Sequence, residues 1–185
     1  MSGNSHENTS ANTPMMNTLV VIGLGLIGGS LALALKKAKA CHKVIGIARK
    51  PDVARRALER GIADEVFTSI TEVAGRLGAG DIIFIAVPTL TVREVLGEIQ
   101  RCVSAEVTIT DGASVKGSVL DDVKAVYGCV PPQVVLGHPI AGSEQSGVEA
   151  AKADLYEHHR IILTPTEHTG KLHLARVTAM WQEIN

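Results

Sequence analysis

Three short segments combine residue types and spacings that suit chemistry. The first runs Gly23-Leu24-Gly25-Leu26-Ile27-Gly28 and carries glycines in the order G-x-G-x-x-G. A β-rich stretch precedes it and a helical stretch follows, the context in which this pattern binds a dinucleotide. Gly23 then permits the tight turn, Gly25 lets backbone approach a pyrophosphate, and Gly28 lets the helix lie close to the strand. The amides of Leu26 and Ile27 meet phosphate at the positive end of that helix. Twenty residues past Gly28, where an acid would bind a ribose 2′-hydroxyl, stands Ala48, followed by Arg49 and Lys50. Cations in place of the acid suit a 2′-phosphate; as solvated charges at a strand end they would carry no preference. The cofactor expected is NADP, with NAD as the alternative, and Val87 and Pro88 of AVPT are expected to line its site.

The second segment is TDGASVKG, residues 110–117, and the third is GHPIAGSEQSG, residues 137–147. His138 stands between Gly137 and Pro139 at the end of a β-rich run, where the backbone is constrained and an imidazole can face a cleft. An imidazole titrating near neutrality suits general-base work. The other histidines (His6, His42, His158, His159, His168 and His173) occupy tail, loop or helix positions. Lys116 could attract a dianionic substrate, cap a helix or sit in solvent.

The elements that must position these segments alternate along the chain. β-rich runs are expected at 18–23, 43–48, 65–67, 81–88, 106–110, 133–137 and 159–165. Helices are expected at 26–39, 52–60, 70–77, 92–101, 115–127 and 167–184, and residues 138–158 break the rhythm. Continuous apolar strands between helices indicate parallel strands covered on both faces. The expected architecture is therefore α/β, a doubly wound, mostly parallel sheet of the Rossmann NAD(P)-binding kind. One dinucleotide-binding domain is expected over 18–185, with residues 1–17 a disordered tail.

Composition narrows the function classes. Of 185 residues 45% are hydrophobic and 3% aromatic, so the core must be aliphatic, and the net charge of −1 gives no footprint for nucleic acid. No apolar run is long enough to span a bilayer, and the polar start is unlike a secretory signal. Cys41, Cys102 and Cys129 show no CxxC pairing, so neither a disulfide framework nor a metal site is expected and a cytoplasmic setting is.

Taken together, GLGLIGGS, AVP, D-x-x-S-x-K at 111–116 and GHPIAG at 137–142 resemble the prephenate/arogenate dehydrogenases of tyrosine biosynthesis. The resemblance covers roughly residues 19–181. It implies oxidative decarboxylation of prephenate, or of its amino analogue arogenate, with hydride passing to NAD(P). The small-molecule product is 4-hydroxyphenylpyruvate or tyrosine. It implies that His138 is the catalytic histidine and that Ser114 hydrogen-bonds substrate and histidine. By the same resemblance Ser143 contacts a substrate carboxylate and Glu144 lies near the pocket mouth. It further implies a helical domain beyond this chain that completes the substrate pocket and forms a homodimer. Two other readings are a β-hydroxyacid or imine dehydrogenase domain, whose catalytic lysine follows on a helical domain, and a catalytically incomplete NADP-binding module.

Overall fold

A computed structural model describes residues 15–185 of the chain. Its elements in chain order are β1 (Met16–Ile22), α1 (Leu26–Lys37), β2 (Cys41–Ile47), α2 (Pro51–Glu59), β3 (Glu65–Phe67), β4 (Ile82–Ile85), α3 (Val92–Cys102), β5 (Thr108–Asp111), α4 (Lys116–Tyr127), β6 (Val134–Pro139), β7 (Ile161–Thr164) and α5 (Lys171–Gln182). The seven strands form one sheet in the order β3-β2-β1-β4-β5-β6-β7. Every pairing is parallel except that of β6 with β7. The chain winds outward from β1 to β3, then crosses back so that β4 pairs on the other side of β1. That reversal opens a crevice at the carboxyl ends of β1 and β4, where such sheets bind ligands.

Period-2 alternation within the aliphatic strands divides the core into two layers. Leu19, Val21, Ile82 and Phe84 face the layer containing Leu31 and Leu35 of α1 and Val177 and Trp181 of α5. Val20, Ile22, Ile83 and Ile85 face the opposite layer, with Val95 and Leu96 of α3 and Val119 and Val123 of α4. Phe84, Tyr156 and Trp181 lie in the first layer, and Phe67 and Tyr127 pack against the second. Trp181 meets Tyr156 and Phe84 edge-on, with ring centroids 5.0 and 5.9 Å apart.

The strands and most helices fall where the sequence pattern puts them, with three differences. Of the tail expected over 1–17, residues 1–14 lie outside the described residues, but Met16 and Asn17 belong to β1, and Met16 is buried. The helix expected at 70–77 is two short 3₁₀ turns, Ile70–Glu72 and Ala74–Arg76. Ser69 and Glu72 close a capping box on the first turn, and Gly75 interrupts a segment too short to nucleate a full α-helix. The break at 138–158 is not a free loop. β6 runs on to Pro139 because β7 pairs antiparallel with it. Farther along, Tyr156 donates its hydroxyl proton to the Ile27 carbonyl at 2.6 Å, and the Lys152 amide donates to Ser30 Oγ at 2.9 Å. This segment is thereby bound to the first turns of α1.

The seat of α1 is set by backbone proximity. A Cβ at Gly28 would lie 2.1 Å from the Gly23 carbonyl oxygen and 2.7 Å from Val21 Cγ1, and Gly23 itself adopts φ +99°. Gly28→Ala must therefore push the helix off the sheet. We expect it to lower stability by about 1–3 kcal/mol, the usual cost of overpacking. Urea unfolding followed by circular dichroism will measure this, and an unchanged midpoint would show that α1 can shift freely.

Candidate functional site

Two groups of residues meet at the carboxyl edge of the sheet. The first surrounds the crevice at the reversal, a cavity of about 540 Å³ lined by Gly23, Leu24, Gly25, Ala48, Arg49, Lys50, Val87 and Pro88, among others. The amino end of α1 opens into this edge uncovered. Its N-cap is Gly25 with no side-chain cap, and its first turn contains no acid. The backbone donors of that turn and their positive end-charge are thus available to an anion. A Cβ built at Gly25 meets nothing within 4 Å, in contrast to the crowded Gly23 and Gly28. Open space over bare backbone is the cradle a pyrophosphate requires, so these residues fit a dinucleotide.

Leu24 contributes differently from its neighbours. Its side chain is 2% exposed and its methyl group covers Gly46, so it supports the crevice from below. Arg49 and Lys50 are both exposed at the crevice rim. Arg49 Nη2 lies 3.0 Å from Glu94 and 4.0 Å from Glu98 of α3. The arginine read from the sequence as an unopposed cation is therefore ion-paired, because folding brings α3 across from the end of β2.

The second group joins the turn after β5 to the end of β6. Asp111 is 2% exposed. Its Oδ1 accepts from the Gly137 amide at 3.0 Å, and its Oδ2 accepts from the Ala113 amide at 3.0 Å and from the Lys116 ammonium. Lys116 Nζ also donates to the Gly137 carbonyl at 2.6 Å. Burial pushes the Asp111 carboxyl up, against the opposing pull of Lys116 and the two amides. Burial likewise pushes the Lys116 ammonium down, and Asp111 opposes it. Gly137 must be glycine, since a Cβ there would stand 2.9 Å from the Asp111 carbonyl oxygen.

His138 is half-buried on β6, paired in register with Ile162 of β7. Strand alternation sets it on the face shared by Val134 and Leu136, which lie in the same core layer as α4. Ser114 is exposed in the turn that begins α4. Both residues are tied to Asp111, Ser114 by its neighbour Ala113 and His138 by its neighbour Gly137. No hydrogen bond joins Ser114 to His138 among the described residues. Ser143 and Glu144 lie exposed beyond β6, where Ser143 Oγ accepts from the Gln145 amide at 3.2 Å.

Lys116 differs from the sequence expectation. It was a candidate for attracting substrate, but its ammonium is committed to Asp111 and Gly137, with its side chain 17% exposed. Asp111 and Gly112 were the residues that sequence reasoning passed over. Asp111 heads the D-x-x-S-x-K segment, and its spacing from the lysine was the available signal. Gly112 is forced by contact, for a Cβ there would lie 2.7 Å from Phe84 and 3.0 Å from Ile27.

Comparison with known proteins agrees with this geometry. The family model described as prephenate dehydrogenase, nucleotide-binding domain, matches residues 31–185. The prephenate dehydrogenase of Bacillus subtilis (strain 168) is 40% identical over 160 residues, 85% of this chain and 42% of that protein. The crystal structure of prephenate dehydrogenase from A. aeolicus, in complex with hydroxyphenyl propionate and NAD+, superposes with a TM-score of 0.84 at 35% identity. That match covers 92% of this chain and 58% of that one. Synechocystis arogenate dehydrogenase gives a TM-score of 0.79 at 28% identity, covering 90% and 56% of the respective chains. The chain thus spans about half the length of the relatives it matches. A chain with a crevice at the sheet reversal and a histidine at the end of β6, on the same sheet, is therefore a member of the prephenate dehydrogenase nucleotide-binding domain family.

Proposed function

We propose that this chain is the nucleotide-binding part of a cytoplasmic dehydrogenase that oxidatively decarboxylates prephenate or arogenate in tyrosine biosynthesis. The observation that carries the proposal is the placement of His138 at the carboxyl edge of the same sheet as the crevice, in a chain of this family. The family match favours this reading over a β-hydroxyacid or imine dehydrogenase. The remainder of the substrate pocket and a homodimer interface are assigned to a helical domain, on the resemblance to the family.

The amides of Leu26 and Ile27 would hold a pyrophosphate at the open face of Gly25, and Val87 and Pro88 line the adjoining wall. An oxidised nicotinamide, when bound, supplies the hydride acceptor. His138 in its neutral form takes the proton of the substrate hydroxyl as that carbon becomes a carbonyl. Loss of carbon dioxide then makes the ring aromatic. Ser114 orients the hydroxyl toward the imidazole, Ser143 contacts a substrate carboxylate, and Glu144 lies near the pocket mouth.

The cofactor is NADP in preference to NAD. Ala48 leaves the 2′ position without an acid, and Arg49 and Lys50 bring positive charge to it. The exposed pairing of Arg49 with Glu94 does not oppose this, since surface ion pairs of this kind contribute little and exchange readily for a phosphate. Arg49→Ala is expected to weaken NADP binding by roughly 1–3 kcal/mol and to leave NAD nearly unchanged. Calorimetry on the two cofactors tests this, and equal affinities in the parent chain would reject the preference.

Gly25→Val is expected to abolish binding of either cofactor while leaving the circular dichroism spectrum intact, because its side chain enters only the space assigned to phosphate. Normal cofactor binding by a folded variant would move the phosphates elsewhere. His138→Asn, made in a polypeptide that also carries the helical domain, is expected to cut turnover by about 10²–10⁴-fold, the range for loss of a general base. Cofactor affinity is expected to stay constant. Steady-state formation of reduced cofactor with prephenate and with arogenate decides the matter, and near-normal turnover would remove His138 from the chemistry.

A further inference from the structure

We infer that Asp111 and Lys116 are a positioning pair for His138, fixing the strand end that carries the imidazole and the turn that carries Ser114. The functional side of this inference rests on the proposed role of His138. The contacts themselves are a matter of geometry.

The parallel ladder between β5 and β6 pairs Ile109 with Val134 and Thr110 with Val135, and goes no further. Gly137 and His138 lie beyond it. On one side they are held by β7, which pairs Gly137 with Leu163 and His138 with Ile162. On the β5 side the backbone partners have run out, and two side chains replace them. Asp111 Oδ1 takes the Gly137 N–H at 3.0 Å, and Lys116 Nζ donates to the Gly137 C=O at 2.6 Å. That carbonyl belongs to the peptide unit ending in the His138 nitrogen. Fixing its plane fixes the direction in which His138 leaves the backbone.

The same carboxylate orders the turn after β5. Asp111 Oδ2 accepts from the Ala113 amide and from Lys116, so Ser114 is bracketed by two anchors to a single group. Ser114 and His138 thus share one reference point although 24 residues separate them in the chain.

Stability alone is a poor reason for such a pair. A buried ion pair often contributes no more than well-packed apolar residues of similar size, and its best-attested use is to specify one arrangement. Lys116 is also the first residue of α4, where the helix dipole disfavours a cation. Its ammonium turns inward to Asp111 and Gly137, a conformation that a lysine serving only as a surface charge has no reason to adopt.

The test is nuclear magnetic resonance on the 185-residue chain with labelled histidine and glycine. In the parent chain the Gly137 amide, which has no ladder partner on β5, is expected to be protected from hydrogen exchange. Rapid exchange there would overturn the inference without recourse to any variant. Lys116→Met removes the donor to the Gly137 C=O while Asp111 still accepts from the Gly137 N–H, and it is expected to shift and broaden the His138 ring signals, while Lys116→Arg restores them. Because Lys116→Met strands a buried carboxylate and can unfold the chain, the double variant Asp111→Asn with Lys116→Met supplies a second measurement with no unpaired charge. It is expected to show the same ring disorder, with NADP affinity unchanged. A folded double variant with parent-like His138 signals would overturn the inference. If the His138 signals respond as expected but His138→Asn retains turnover, the pair holds the ring and the catalytic role fails. If His138→Asn loses turnover but the signals do not respond, the catalytic role stands and the pair is only structural.

Discussion

The functional edge of this molecule is built against the first turn of α1. At Gly28 the helix comes so near the Gly23 carbonyl that no side chain fits between them. Around that turn, Gly112 brings the start of the α4 segment against Ile27, and Gly29 admits Ala151. Tyr156 donates to the Ile27 carbonyl and Lys152 to Ser30. Segments far apart in sequence are thereby referenced to one helical turn. The same turn begins at Gly25 with no side-chain cap and no acid, so the point on which these segments converge is also the uncovered amino end of the helix.

Close packing makes this arrangement rigid. An interior packed like an organic crystal transmits displacement instead of absorbing it. The Tyr156 and Trp181 rings, both buried, support the α1 face with edge-on contacts. The opposite layer, under α3 and α4, has aliphatic buried residues with Phe67 and Tyr127 packed against it, and follows the ordinary alternation of the strands.

Charge serves two purposes in the structure. At the crevice rim, exposed Arg49 and Glu94 pair beside a half-buried Glu98, and solvent screens the exposed interaction so that partners can exchange. Under the end of β6, Asp111 and Lys116 are withdrawn from water and hold two backbone groups in fixed directions. The first arrangement suits an adaptable binding surface and the second suits a fixed scaffold.

The sequence by itself determined the alternation of strands and helices, the parallel character of the sheet, the glycine-rich turn before α1 and the strand end bearing His138. Each is encoded locally, through apolar periodicity, glycine at close contacts and residues at strand termini. It did not determine the 3₁₀ turns at 70–76, where Gly75 interrupts a segment too short to nucleate a full α-helix. Nor did it reveal what the cations do. Arg49 was legible as a positive charge, but its pairing with residues 45 and 49 positions away depends on where α3 crosses the crevice. Lys116 was legible as a lysine near a reactive turn, but its inward course depends on β6 arriving beside β5 with Gly137 at the right depth. Local pattern specifies which elements form, because backbone conformation and burial preference are set by near neighbours. The partner of a charged side chain is set by the elements that folding brings opposite it, and that only the tertiary structure decided.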